Sequence, residues 1–368
     1  MLLRILLILT TVLVSSAAFA DTSAPEHFAP QSPATAGQAE SASPKSQSPW
    51  MLVPTFSSDP KVGTSIGVMA GYLFKLDPES TSSMVAAGAT YSNTDSRIGG
   101  LMFRSFWDGD SKRFNAIVAA GVVNNDYEDF LGSGLPLSTT DDMKLIFLRY
   151  LQEIRPHWFV GGQGVYTNYM IVGDDFRTQE ILKLVGLTGF DSGALGLVLT
   201  FDDRDNQNAP TQGRHFTINN LAYREAFGGE EDFDSVTMAF KHYLPHGKNH
   251  VFAYRAQGRF TFDAPTSGYS SISLRGYTRG QYLAPHSVSL EAEERWHVKG
   301  RLGINLFASV ACLYGDGRSC DDPDNLFPCV GVGAQVTIKP SEQMVMSIDY
   351  AHGKEGNSGF YIRFGQAF

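Results

Sequence analysis

The chain has 368 residues, with 29 Lys and Arg against 38 Asp and Glu, a formal net charge of −9. This acidic balance, with no basic stripe, argues against nucleic acid as a partner. Beyond the N-terminus no apolar run reaches the roughly 18 residues of a membrane helix, and the 37 glycines and 12% aromatic content do not suit a helical globule.

Residues 1–20 begin with Arg4, continue through an apolar run from Ile5 to Val14, and close on Ala18 and Ala20 just before Asp21. Small residues at those two positions fit a secretory cleavage site, and the run is too short to span a bilayer comfortably. Residues 21–49 are mostly Ser, Ala, Pro and Gln. So little apolar surface cannot offset the entropy of ordering, which predicts a disordered linker.

From residue 50 to 368 the pattern changes to period-two alternation broken by turn residues, which predicts strands. The expected strands are 51–57, 62–75, 82–92, 95–107, 112–123, 142–155, 158–170, 192–203, 213–224, 233–244, 249–262, 287–298, 302–314, 329–339, 344–352 and 359–368. Sixteen is an even count, as bacterial outer-membrane barrels prefer. The fold class is therefore all-β: a single transmembrane antiparallel barrel of about sixteen strands. If the first strand runs outward, the long connections near 124–141, 171–191, 263–286 and 315–328 all face out. The tight ones at Arg155-Pro156-His157, Pro245 to Lys248 and Lys299-Gly300-Arg301 face the periplasm. Such barrels keep long loops outside and short turns inside. Only 204–212 is longer than that rule favours.

Within the best-patterned strands the two faces separate cleanly. Met344, Met346, Ile348 and Tyr350 oppose Val345, Ser347, Asp349 and Ala351; Leu302, Ile304, Leu306, Ala308 and Val310 oppose Asn305, Phe307 and Ser309. With Arg255, Gln257 and Arg259 also aimed inward, the lumen is expected to be polar and charged. Glu294 breaks the pattern by falling on the lipid face beside Trp296. At the C-terminus, Phe360, Ile362, Phe364 and Phe368 share the expected lipid face while Arg363 and Gly365 share the other. Pro54 in the first strand removes a ladder donor and weakens the pairing with that last strand.

Three cysteines leave at least one unpaired within the chain. Cys320 and Cys329 flank the polar segment Asp321 to Asn325, which favours a disulfide between them in an outer loop, with Cys312 at a lipid-facing position; reduced thiols are the alternative. Asp316, Asp321, Asp322 and Asp324 lack the ligand spacing of a calcium loop, and His157, His215, His242, His246 and His250 form no Ser-His-Asp arrangement. Neither catalysis nor a metal or cofactor is expected.

The segment from Ser273 to Tyr282 admits two readings. It is either an exposed loop with solvated arginines, or one that folds back so that Arg275 docks on lumen-facing carboxylates, for which Glu291, Glu293 and Asp349 are the candidates. Its Leu274-Arg275-Gly276-Tyr277 resembles the loop motif of the BamA/TamA superfamily, the bacterial surface antigens that also include two-partner secretion transporters. Four further pieces are similar in order and spacing. Asp203-Arg204-Asp205, followed by Pro210 and Gly213, resembles the family's turn between the eighth and ninth strands. Glu293-Glu294-Arg295 follows the loop, Gly331 and Gly333 form a glycine pair, and Asp349-Tyr350-Ala351 lies near the end. The resemblance implies that the sixth outer loop enters the barrel with Arg275 near the thirteenth and fourteenth strands, and that the sixteenth strand meets the first at a weak seam. It also implies a bacterial outer-membrane location and a role in protein insertion or translocation; the alternative is a passive channel or structural barrel. Ser309 stands where the family often has an acid, and Glu294 where it has an aromatic. Residues 21–48 are too few and too polar to fold as one of the family's periplasmic POTRA domains. The implied partners are outer-membrane lipid, a periplasmic or POTRA-bearing protein, and a second copy of the chain.

Overall fold

The computed structural model describes residues 48–59, 63–127, 137–173, 177–178, 180, 189–277 and 282–368. The signal-peptide reading, and nearly all of the linker reading, lie outside these residues. Sixteen strands form one closed barrel, each antiparallel to the next in sequence, and the last meets the first. They are β1 (Trp50–Asp59), β2 (Gly63–Phe74), β3 (Ser83–Ser92), β4 (Arg97–Trp107), β5 (Lys112–Tyr127), β6 (Leu137–Arg155), β7 (Trp158–Gly173) and β8 (Gly189–Asp202). The second half comprises β9 (Gly213–Tyr223), β10 (Phe233–His246), β11 (His250–Phe262), β12 (His286–Lys299), β13 (Leu302–Tyr314), β14 (Leu326–Lys339), β15 (Met344–Gly353) and β16 (Ser358–Phe364). All sixteen expected strands are present. The largest boundary differences are the start of β6, at Leu137, the end of β5, at Tyr127, and the end of β16, at Phe364.

Closure satisfies the backbone donors and acceptors that hydrocarbon would leave unpaired. The outer face is apolar: Leu52 and Leu197 are each 73% exposed, while Val53 and Val198 beside them are each 2% exposed and face inward. Glu294 does point outward, but it lies at the periplasmic rim, where its carboxylate contacts His246 Nε2 at 2.6 Å.

Three expectations are corrected. First, the disulfide joins Cys312 to Cys320, with Cα atoms 5.7 Å apart, and Cys329 is a buried free thiol. The register explains why. Cys312 pairs with Leu326 at the outer rim, next to the turn that carries Cys320, whereas Cys329 pairs with Ser309 three residues deeper and faces the lumen. Second, Phe368 is not on the lipid face. Gly365 adopts φ +96°, a conformation that favours glycine, and the chain beyond it turns inward, so Phe368 is buried beside Tyr243, Val251 and Ala253. Third, the charge of the lumen is uneven. The inward faces of β9–β16 carry Lys241, Arg255, Glu291, Glu293, Arg295 and Asp349, whereas those of β1–β3 carry Met51, Val53, Met69, Leu73 and Met84, and on β4 and β5 the inward charges are Arg104 and Arg113, near the periplasmic ends.

Candidate functional site: a lumen lock beside a short seam

Between β11 and β12 the chain leaves the barrel wall, and a short pairing of Ser270–Ser271 with Leu283–Ala284 gathers the base of the loop. Beyond it Ile272, Leu274 and Tyr277 pack against Phe307, Leu313, Phe327 and Ala351. This apolar anchor carries Arg275 to the inner wall, where it is 5% exposed. Its Nη2 lies 2.7 Å from Glu293 Oε2 and 3.8 Å from Glu291 Oε2, and its Nη1 lies 3.3 Å from Asp349 Oδ2. The Glu293 contact is an ion pair rather than an aligned hydrogen bond. The guanidinium also stacks on Phe307, with its carbon 3.3 Å from the ring centroid, so one cation is held by charge at its edges and by a π-face beneath.

Each acid is shared. Glu293 also contacts Arg295 Nε at 2.7 Å, Asp349 contacts Arg363 Nη2 at 2.6 Å and Asn305 Nδ2 at 3.2 Å, and Glu291 receives Arg255 Nε at 2.9 Å. Buried charges persist only when paired and hydrogen-bonded, and here four guanidiniums meet three carboxylates in one network. The glycines of the motif make room for it. Gly276 has φ +85°, and its N–H donates to the Tyr361 hydroxyl at 2.8 Å. A side chain at Gly331 would collide with the Phe307 ring, and one at Gly333 with the Asp349 and Asn305 side chains. The Tyr277 hydroxyl donates to the Pro328 carbonyl and accepts from Lys354 N–H at 2.8 Å, and burial raises its pKa.

A second guanidinium cluster fixes the C-terminal tail. Arg295 Nη2 donates to the Phe368 main-chain oxygen at 2.7 Å and Nη1 to Gln366, while Arg255 lies over the Phe368 ring at 5.3 Å. Loop and tail therefore share the β11–β12 wall.

The seam lies just beyond this network. β16 pairs with β15 through seven residues, from Met346↔Phe364 to His352↔Ser358, but among the described residues it pairs with β1 through Ser57↔Tyr361 and Ser58↔Phe360 alone. Phe56 and Phe360 meet edge to face across it, with centroids 5.9 Å apart. Toward the periplasm, contact across the seam is apolar: Met51 and Val53 belong to one cluster with Met344, against which Met346 and Phe364 pack. Lys339 Nζ reaches the Ser48 carbonyl at 3.0 Å beneath it.

The Omp85 superfamily domain model matches residues 74–368. The chain belongs to the Omp85 superfamily. Among solved structures the Omp85 barrel resembles BamA from Haemophilus ducreyi lacking POTRA domains 1–3, with TM-score 0.55, 11% identity, and coverage of 87% of this chain and 70% of that one. It also resembles CdiB from Escherichia coli, with TM-score 0.62, 10% identity, and coverage of 86% and 62%. For CdiB from Acinetobacter baumannii the values are 0.59, 9%, 86% and 59%, so the chain spans less than two thirds of either CdiB. At these identities the likeness shows the fold. No curated protein matches the chain.

The longer periplasmic turn of this Omp85 barrel forms part of its floor. Arg204 is buried and donates through Nε and Nη2 to Asp202, both at 2.8 Å. Burial opposes its charge, but the Asp202 carboxylate more than offsets this and holds the guanidinium above its ordinary pKa. Asp203 pairs with Arg214 at 2.6 Å, and Asp205 accepts from the backbone of Thr211 at 2.9 Å. Pro210 is buried, and Gly213, at φ +102°, passes so close to Arg204 that a Cβ would lie 2.6 Å from its Cα. Asn208 then reaches the Glu342 carbonyl at 2.8 Å, so the turn crosses to the β14–β15 connection. This span accounts for a length that the short-turn rule disfavours.

Sequence reasoning placed the three acids but missed the partners that share them. Arg295, Arg363 and Asn305 were legible only as lumen-facing residues, because pairing across strands depends on register. Phe307 was legible in the same way, as an inward aromatic on β13; that it stands directly opposite the inward Gly331 is again a matter of register.

Proposed function

We propose that this protein is a non-catalytic outer-membrane barrel of the insertion and translocation type, in which a client strand is admitted at the seam between β1 and β16. The observation that carries this reading is the two residue pairs that the seam shows among the described residues, against seven between β16 and β15. An edge with unpaired N–H and C=O groups is a template for strand addition. Pro54 and the methionine-rich contact toward the periplasm leave few directional bonds to break there. The loop and tail held in the lumen favour this over a passive channel, since both occupy the path a solute would take.

The test is to lock the seam. Ser57→Cys with Tyr361→Cys places two thiols at directly opposed positions. In cells depending on this variant, oxidation is expected to lower the levels of other outer-membrane barrels as far as depletion does, and reduction to restore them. If depletion leaves those levels unaltered, the insertion reading fails.

A further inference from the structure

The inner face of β11 and β12 carries the lock, and their outer face carries a furrow. Alternation turns Tyr254, Ala256, Gly258 and Phe260 of β11 toward lipid, and the two smallest of these are consecutive outward positions. The register sets larger side chains on both sides of them. Gly258 lies between Met238 and Val288, and Ala256 lies between Phe240 and Leu290. The result is a hollow of about 490 Å³, floored by Ala256 and Gly258 and banked by β10 and β12. Its lining is almost wholly apolar.

Both ends of the furrow are defined. Toward the periplasm, the Tyr254 hydroxyl and His242 Nδ1 lie 3.0 Å apart on the same outward face, so two polar side chains satisfy one another there. Toward the outside, the Phe260 ring lies across Gly258, where a Cβ would be 2.7 Å from it. Next to that ring His286 sits among Phe260, Phe262 and Tyr314, with centroids 6.0, 5.8 and 5.1 Å away. Aromatic groups gathered in this way mark the boundary between hydrocarbon and water. Cys312 makes the outer corner: it is on the outward face yet 5% exposed, and the disulfide ties to it the turn that carries Cys320. The furrow therefore lies in the outer half of the wall, with Gly258 four residues from the outer end of β11 and Val288 two from the outer end of β12.

We infer that this furrow holds one acyl chain of a phospholipid in the outer half of the bilayer, more tightly than lipid is held elsewhere around the barrel. The dimensions agree. From Tyr254 to Phe260 the strand covers about 20 Å at ~3.4 Å per residue, which at a tilt of roughly 40° spans ~16 Å of depth, against ~15 Å for half of a ~30 Å hydrocarbon core. The driving force is contact. Lipid tails are as apolar as the wall, so a chain gains by dispersion alone, and a furrow touches it on three sides where a flat wall touches one. The outer end selects the head. Asp234 stands opposite Phe262 and takes up the Arg224 guanidinium at 3.0 Å. With that cation paired and aromatic rings around His286, the end suits a zwitterionic phospholipid rather than a head with several phosphates. Ala256 and Leu290 are sequence neighbours of Arg255 and Glu291, so the bound chain backs the strands that carry the lock.

The test places the full-length barrel in palmitoyl-oleoyl phosphatidylethanolamine vesicles doped with the same lipid carrying a diazirine on one acyl chain. After illumination, cross-linked peptides are expected to come from the outward positions of β10–β12 at least fivefold more often than from those of β2–β4. Native mass spectrometry of the barrel exchanged into detergent is expected to show one retained phospholipid. Ala256→Phe fills the floor and is expected to abolish both signals; Leu290→Ala lowers one bank and is expected to weaken retention at least threefold. Ala87→Phe, at an exposed outward position on β3, is expected to change neither. Folding of each variant is checked by its heat-modifiable gel mobility. Adducts spread evenly around the lipid face, no retained lipid, or retention unchanged in whichever of the two furrow variants folds overturns the inference. A dimer that forms in place of the lipid adduct and is lost in Ala256→Phe also overturns it, by assigning the furrow to a second copy of the chain.

Discussion

The two sides of the lumen solve opposite problems. The β9–β16 wall holds a loop and a tail in one geometry by directional contacts: Arg275 reaches three carboxylates, and Arg295 reaches both Glu293 and Phe368. Apart from Arg104 and Arg113 near the periplasmic ends of β4 and β5, the β1–β5 wall is lined by methionine and small residues. Methionine side chains re-pack at little cost, whereas a paired buried charge has few alternatives. The seam lies where these walls meet, so a movement of β1 slides past apolar neighbours while the lock on β12–β15 stays intact. The lesson is that one barrel can be rigid and compliant at once by dividing polar from apolar residues around its circumference.

The sharpest way to break the comparison is to remove the acid at the centre of the lock. Glu293→Ala takes a carboxylate from both Arg275 and Arg295, leaving two buried guanidiniums short of a partner. Breaking a buried pair costs about 3–5 kcal/mol. The expected result is a clear fall in the temperature at which the folded band loses its compact mobility, with higher single-channel conductance as the loop loosens. Unchanged conductance together with unchanged stability would mean that the loop is not held by this network. On the other side, Arg104→Gln removes a charge that has no carboxylate partner among the described residues, so the barrel should melt within the error of wild type in the same assay.

A smaller effect is expected from the glycine that accommodates Asp349. Gly333→Ala drives a methyl group into the Asp349 and Asn305 side chains, and its Cβ would also lie 2.8 Å from the Ile348 carbonyl. Overpacking of this kind costs about 1–3 kcal/mol. Urea-induced loss of β-sheet circular dichroism, followed in lipid vesicles, measures it. The cysteines give a chemical check of similar locality. Without reductant, neither Cys312 nor Cys320 should react with a maleimide, and the buried Cys329 should react only on unfolding. Peptide mass mapping would show a 320–329 linkage if the register argument is wrong.

Much of the barrel was legible because alternation is local. Whether Val310 faces out or Ser309 faces in depends only on counting along one strand, and the strand boundaries followed from turn residues such as Gly247 and Gly300. The candidate acids were legible for the same reason, as inward positions on strands flanking an Arg-Gly loop. What was not legible depended on register or on a break in the strand. The sequence shows Cys320 and Cys329 flanking one polar turn, but not that Cys329 sits three ladder steps below Cys312. Phe368 continues the apolar alternation of Phe360, Ile362 and Phe364, yet Gly365 at φ +96° ends the strand and sends it inward. The division of the lumen was missed because the strands with the clearest alternation were those of the charged side. On β2–β4, inward Gly, Ala and Met differ too little from their outward neighbours to mark which face is wet.

The smallest expected effect is also the most discriminating between the two walls, because it repeats the glycine experiment on the apolar one. Gly88 faces the lumen on β3, as Gly333 does on β14, and its φ is not in the left-handed region. A Cβ at Gly88 would meet the Val68 carbonyl at 3.6 Å, an ordinary contact, where the Gly333 methyl group collides with two side chains. With no clash, the remaining term is the unfolded chain, which loses freedom when glycine becomes alanine and so stabilises the folded state by about 0.4–1 kcal/mol. Gly88→Ala is therefore expected to be neutral or slightly stabilising in the urea assay that registers a loss for Gly333→Ala. A loss of equal size at both positions would mean that the β1–β5 wall is as tightly specified as the lock, and the contrast between a fixed side and a compliant side would no longer hold.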